Sequence, residues 1–145
     1  MAYAKGTGVP VERSKAEIER LLKAKGATSF HSGWNAEFAS LGFTLKGTQV
    51  MIGVPLPSVH DYSKHSRTRG QGAYDAECRR RWRCLLLILK AKFEAVHSGI
   101  STIEKEFLAD VVLPNGRTLG EWAVPQLEAI QAGRLALPAH EDSRT

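Results

Sequence analysis

Leu41-Gly42-Phe43-Thr44-Leu45-Lys46-Gly47-Thr48-Gln49-Val50-Met51-Ile52-Gly53-Val54 alternates apolar with small or polar residues on either side of Lys46-Gly47. A period of two is the signature of a strand with one buried face. A two-residue Lys-Gly link, with glycine free to take positive φ, closes a hairpin. One arm presents Leu41, Phe43 and Leu45; the other presents Val50, Ile52, Val54 and Leu56. Pro55 and Pro57 end the second arm and mark it as a sheet edge, because proline cannot donate to a ladder. Upstream, Phe30, Ser32 and Trp34 alternate with His31 and Gly33, which predicts a first strand over 28–34. The result is a three-stranded antiparallel meander with one apolar face, and Trp34 fits either face.

Helical signals flank the meander. Ser14-Lys15-Ala16-Glu17 reads as a capping box, Ile18, Leu21 and Leu22 form a stripe, and Gly26 is a stop. This predicts a short helix over 14–25, preceded by a loose arm at 1–11. After the meander, 57–73 offers little to bury and reads as a mobile basic loop. The longest helix is predicted over 74–98, with Cys78, Trp82, Leu85, Leu86, Leu89, Phe93 and Val96 within an arc of about 100°. Ser101-Thr102-Ile103-Glu104 caps a short helix to 109, and Val111-Val112-Leu113 is extended. Pro114-Asn115-Gly116 turns, and Thr118-Leu119-Gly120-Glu121 caps a helix to 132. Residues 138–145 read as a polar tail. A meander covered by one long helix, with a short N-terminal and two short C-terminal helices, is a two-layer α+β domain.

The 145 residues suit one domain. The longest strongly apolar run, Leu85 to Leu89, falls far short of the roughly 20 residues a bilayer requires, so the expectation is a soluble chain of the (host) cytoplasm. Only Cys78 and Cys84 occur, six positions apart in one predicted helix, on different sides of the cylinder, so they do not pair with each other.

Net charge is +5, and it is concentrated. Residues 60–83 carry 7 Lys and Arg against 3 Asp and Glu, while 84–145 carry 6 against 8. Lys64, Arg67 and Arg69 fall in the predicted loop; Arg79, Arg80, Arg81 and Arg83 fall in the first turns of the long helix. Arg79, Arg83 and Lys90 lie within about 40° of one another and border the apolar arc. That position predicts one wall of a groove overlooking the sheet edge. Arginine suits phosphate because its planar fork makes two parallel charge-assisted hydrogen bonds. The candidate nucleic-acid contacts are therefore Lys64, Arg67, Arg69, Arg79, Arg80, Arg83 and Lys90, with Tyr62 and Tyr74 as stacking rings.

Catalytic patterns are weak. His60, Asp61 and His65 cluster with Asp75 and Glu77 nearby, but without a recognised ligand spacing. Ser14 and Ser101 have no His and acid arrangement. Gly70-Gln71-Gly72 is a fragment of a dinucleotide fingerprint without its strand-turn-helix setting. The expectation is no catalytic residue, no metal and no cofactor.

Two resemblances follow. Val11-Glu12-Arg13-Ser14-Lys15-Ala16-Glu17-Ile18-Glu19-Arg20-Leu21-Leu22 running into Gly26-Ala27-Thr28-Ser29-Phe30 resembles small uncharacterised phage and prophage proteins. So do Arg81-Trp82-Arg83, Phe107-Leu108-Ala109-Asp110 and Asn115-Gly116-Arg117-Thr118. The β-β-β-α order with a basic rim is similar to the core of phage single-strand annealing proteins, which implies oligomers holding DNA between sheet and helix. The leading expectation is a non-enzymatic single-stranded DNA-binding or annealing protein of phage recombination or replication. The alternative is a phage-encoded interaction factor, an inhibitor or assembly component, whose basic patch meets an acidic host or phage protein. A metal-dependent nuclease using His60, Asp61 and His65 is the third reading.

Overall fold

The computed structural model describes residues 2–58 and 67–135, with side chains for 11–58 and 70–135. Helix α1 (Ala2–Ala24) leads into β1 (Ser29–Trp34), β2 (Phe38–Leu45) and β3 (Thr48–Pro55), and helix α2 (Arg67–His97) follows. The C-terminal part holds α3 (Ile103–Glu106), α4 (Leu119–Ala123) and α5 (Leu127–Gln131), with single 3-10 turns between them. The sheet order is β1-β2-β3, both pairs antiparallel. The architecture is α+β, as the alternation in 41–54 predicts.

The hairpin link takes the conformation its residues favour. Lys46 has φ 49° and Gly47 φ 79°, and positive φ at both positions matches the right-handed twist of the flanking strands. Three crossings of the sheet return the chain to the end where α1 began, so α2 must run in the same direction as α1. Two cation–π contacts show that it does. Lys15 Nζ lies 5.0 Å from the Trp82 ring centre, and ten residues on Lys25 Nζ lies 5.9 Å from that of Phe93.

The two parallel helices bury one continuous core against the sheet. Ile18 and Leu22 of α1 meet Leu41, Phe43 and Leu45 of β2, Val50 and Val54 of β3, and Trp82, Leu85, Leu86, Leu89 and Phe93 of α2. Phe107 joins from the C-terminal part, edge-on to Phe43 at 5.6 Å between ring centres and tilted against Phe93 at 5.5 Å. It is the anchor that holds α3 and its neighbours to the domain, and truncating such a ring to alanine costs about 3–5 kcal/mol.

Four local expectations need correction. First, α1 begins at Ala2, so the loose arm expected at 1–11 is helical backbone from residue 2 on. Pro10 argues for a later start because it lacks the N–H an interior position donates. The core stripe nevertheless continues upstream through Val11, which packs on the core, and Ser14, which is buried inside the helix and does not cap it. Second, α2 starts at Arg67 rather than 74, so the second half of the expected loop is helical; residues 59–66 lie outside the described residues. The stripe there is polar, which is why it escapes a hydrophobicity reading: Gln71 Nε2 donates to buried Asp75 Oδ1 at 2.9 Å, one turn along.

Third, the cap of α3 is Thr102, one residue later than expected; its hydroxyl accepts from the Lys105 amide at 3.2 Å. Fourth, the helix expected from Thr118 to 132 is broken by a 3-10 turn over Val124–Gln126, where Pro125 removes an amide. Its start is as expected. Thr118 and Glu121 form a reciprocal capping box, and the hydrogen bonds to Thr118 hold the Glu121 carboxyl below its ordinary pKa. Val111 and Val112 do form an extended segment, bridging Val50 and Thr118, with the Val112 amide donating to Gln49 O at 3.0 Å. The polar tail expected at 138–145 lies outside the described residues.

Candidate nucleic-acid interface

Helix α2 carries cations on both of its flanks, and the flanks differ. One faces the open side of β3 across a groove of about 350 Å³ lined by Ile52, Val54, Cys84 and Ile88, with Arg80, Arg81, Lys92 and Asp110 also in its lining. The other carries Arg79, Arg83 and Lys90, which are absent from that lining. The groove at the sheet edge is therefore walled by Arg80, Arg81 and Lys92, not by the Arg79-Arg83-Lys90 stripe as expected. The stripe itself is intact, but the helix is rotated so that it points away from β3. Phase against the apolar arc is legible in a sequence; which border of the arc meets the sheet edge is set by where α1 packs.

The groove cations are compensated. Arg80 makes a two-point contact with Glu77, Nη2 to Oε2 at 2.6 Å and Nε to Oε1 at 2.8 Å. Arg81 Nε donates to the same Glu77 Oε2 at 2.8 Å, and its Nη1 donates to the Pro55 carbonyl at the end of β3. These bonds, Arg80 first and Arg81 second, pull the Glu77 carboxyl down from 4.5 to about 2. Lys92 lies 3.8 Å from the Glu106 carboxylate and donates to the Glu106 carbonyl at 2.6 Å. Asp110, half-buried at the groove, has its pKa raised by burial, with Lys92 acting in the opposite direction. Three cations face three acids: the groove is near neutral and its floor is apolar.

The other flank is uncompensated. Among the described residues no ion pair reaches Arg79, Arg83 or Lys90. Arg83 and Lys90 are exposed and Arg79 is half-buried. At about 1.5 Å rise per residue the stripe is roughly 16 Å long. Upstream on the same helix, the first turn holds Arg67 and no acidic residue.

The remaining candidates distribute as follows. Arg67 and Arg69 belong to α2 as backbone, while Lys64 and Tyr62 lie outside the described residues. Tyr74 is half-buried on α2; burial first, and then Cys78 one turn on, raise its pKa. A ring held against its own helix offers a base less surface than an open platform. Burial likewise raises the Cys78 thiol, and both cysteines are free. His60, Asp61 and His65 lie outside the described residues. Among the described residues no three His, Cys, Asp or Glu side chains are grouped to hold a metal. No helix among them is long and apolar enough to cross a membrane. Sequence reasoning overlooked Glu77 as the group that decides which arginines are available. The signal was present, since Glu77 stands three and four residues before Arg80 and Arg81.

Set against family profiles, curated proteins and solved structures, the chain finds no match.

Proposed function

We propose that this chain is a polyanion-binding module that holds nucleic acid, single-stranded DNA foremost, along the Arg79-Arg83-Lys90 flank of α2. The observation that carries this reading is the contrast in compensation on one helix. Arg80 and Arg81 spend their hydrogen bonds on Glu77 and Pro55, whereas Arg79, Arg83 and Lys90 form no ion pair among the described residues. Cations held in a row without acids are suited to phosphates, which they neutralise with release of counterions. Contacts of this kind fix position on a backbone and do not read bases. Arg67, Arg69 and Lys64 extend the basic stretch towards and beyond the start of α2, and a role in phage recombination or replication suits such a module.

Fluorescence anisotropy with labelled single- and double-stranded oligonucleotides, without added metal, tests this. The expectation is salt-sensitive binding with a preference for single strands. Absence of binding even at low salt sinks it.

The second reading, a protein-interaction factor, draws on the groove. A near-neutral, apolar cleft beside a strand edge suits a peptide better than a phosphate backbone. It predicts a stable complex with a protein partner that survives raised salt and is lost on filling the groove, for example with Cys84→Trp.

A further inference from the structure

We infer that β1 is a self-pairing edge: a second copy of the chain adds its own β1 antiparallel about a two-fold axis at Ser32, seating the partner's Trp34 against Phe30. This surface is separate from the basic flank of α2, and the inference stands whether or not that flank binds nucleic acid.

Among the described residues, no strand pairs with the outer side of the β1 backbone. Residues alternate along an antiparallel ladder between those bonded to the neighbour and those facing away. Asn35 N donates to Phe38 O at 2.9 Å, closing the β1-β2 hairpin, and the register pairs Gly33 with Ser40, His31 with Gly42 and Ser29 with Thr44. Those residues bond inward, so Phe30, Ser32 and Trp34 direct both their N–H and C=O groups outward.

Within the strand itself no charge or proline guards this edge. Ser29-Phe30-His31-Ser32-Gly33-Trp34 holds no Lys, Arg, Asp, Glu or Pro, the residues that usually keep an exposed strand from pairing. The other edge of the sheet is treated differently. On β3 the Val112 amide takes the Gln49 carbonyl and the Arg81 guanidinium takes that of Pro55.

Side-chain placement then selects the partner. Phe30, Ser32 and Trp34 stand opposite Phe43, Leu41 and Ala39, which are buried, so all three lie on the helix-bearing face. Yet Ser32 is exposed and Trp34 is 77% exposed, so the helices stop short of this edge. That leaves room on the helix-bearing face for a second copy. Only the register centred on Ser32 engages all three outward-facing residues: Phe30 with the partner's Trp34, Ser32 with the partner's Ser32, and Trp34 with the partner's Phe30. Directly opposed side chains on one face are about 5 Å apart at Cβ. Beside Phe30 lies a cleft of about 190 Å³, lined by Leu22 and Ala27 with Glu19 and Lys23 at its sides. The exposed indole meets a cleft of mixed lining, in which Leu22, Ala27 and Phe30 offer apolar contact beside Thr28 and Ser29, and Glu19 supplies an acceptor of the kind a half-buried indole N–H needs. Because Trp34 and the Phe30 it meets lie on the same strand, the contact is self-complementary and closes at two copies. The product is a continuous six-stranded sheet with both helix pairs on one face.

Sedimentation velocity on the full chain over a concentration series tests the inference. Wild-type protein is expected to form dimers. Ser32→Lys sets two ammonium groups against each other on the axis and should yield monomers with an unchanged circular dichroism spectrum, since Ser32 is exposed. Trp34→Ala should raise the dimer dissociation constant tenfold or more. Ser32→Cys supplies a readout that does not depend on tolerance of lysine. Hydrogen-bonded antiparallel partners have Cα atoms about 5.5 Å apart, within disulfide reach, so mild oxidation should give a covalent dimer that neither the wild type nor His31→Cys gives. A monomer at every concentration, a dimer indifferent to Ser32→Lys and Trp34→Ala, or assemblies larger than two would each overturn it.

Discussion

The two flanks of α2 hold the same kinds of residue and differ in what stands next to them. On the β3 side, Arg80 and Arg81 share Glu77, and Lys92 is close to Glu106. On the other side, Arg79, Arg83 and Lys90 have no acid within ion-pairing distance among the described residues. A count of arginines treats the run 79–83 as one basic patch. The geometry divides it by pairing: Arg81 fastens the helix to the end of β3, with Arg80 beside it on the same carboxylate, while Arg79 and Arg83 make no ion pair among the described residues. Availability, more than charge density, marks a binding residue, because an arginine already bonded at two points must break those bonds to meet a phosphate.

That division can be broken most directly by substitution. Replacing Arg79 and Arg83 with alanine should weaken single-stranded DNA binding tenfold or more at moderate salt, whereas Arg80→Ala should change it by threefold or less. Equal losses in the two variants, read by anisotropy, would erase the distinction. A smaller effect of opposite sign comes from Glu77→Gln, which releases Arg80 and Arg81 and should tighten binding a few-fold. No change, or weaker binding, would show that the groove cations do not reach the ligand even when freed.

The smallest effect is with pH. Hydrogen bonds from Arg80 and Arg81 place the Glu77 pKa near 2 in the folded state, below its ordinary 4.5. A depressed folded-state pKa means that the stabilisation is present above 4.5 and is lost as pH falls towards 2. Between pH 6 and 4, then, Glu77 stays charged and the groove flank stays compensated. Any rise in DNA affinity over that interval should come from other carboxylates and be the same in wild type and Glu77→Gln. A rise centred near 4.5 that disappears in Glu77→Gln would show the carboxylate to be free and the comparison to be misdrawn.

The sheet was readable in the sequence because its pattern is local. Leu41, Phe43 and Leu45 alternate, Lys46-Gly47 can adopt the one link that keeps the register, and all three strands begin and end within three residues of the alternation. The Thr118-Glu121 capping box was readable for the same reason, being a contact three residues long. The errors arose where tertiary packing outweighs local chemistry. Ser14 carries every mark of a cap, yet it sits in mid-helix with its side chain covered, because Val11 has a core to join. Gln71 looks like a loop residue until its side chain bonds Asp75 one turn along the helix. The site was half legible for a related reason. Periodicity places Arg79, Arg83 and Lys90 on one face of α2, but the side of α2 that meets β3 depends on α1, which is remote in sequence. The meander already put β1 at an edge; what the sequence did not show is that the helices leave Ser32 and Trp34 exposed there.

The most direct test of the central claim is the salt dependence of single-stranded DNA affinity for wild-type protein and for the Arg79→Ala, Arg83→Ala double variant. Each phosphate neutralised on a single strand contributes about −0.7 to the slope of log K against log salt. Three contacts from the open flank predict a wild-type slope of about −2 or steeper, and losing two of them should flatten it by about 1.4. A slope that the double variant leaves unchanged, with Arg80→Ala flattening it instead, would place the phosphates in the groove beside β3 and contradict the account.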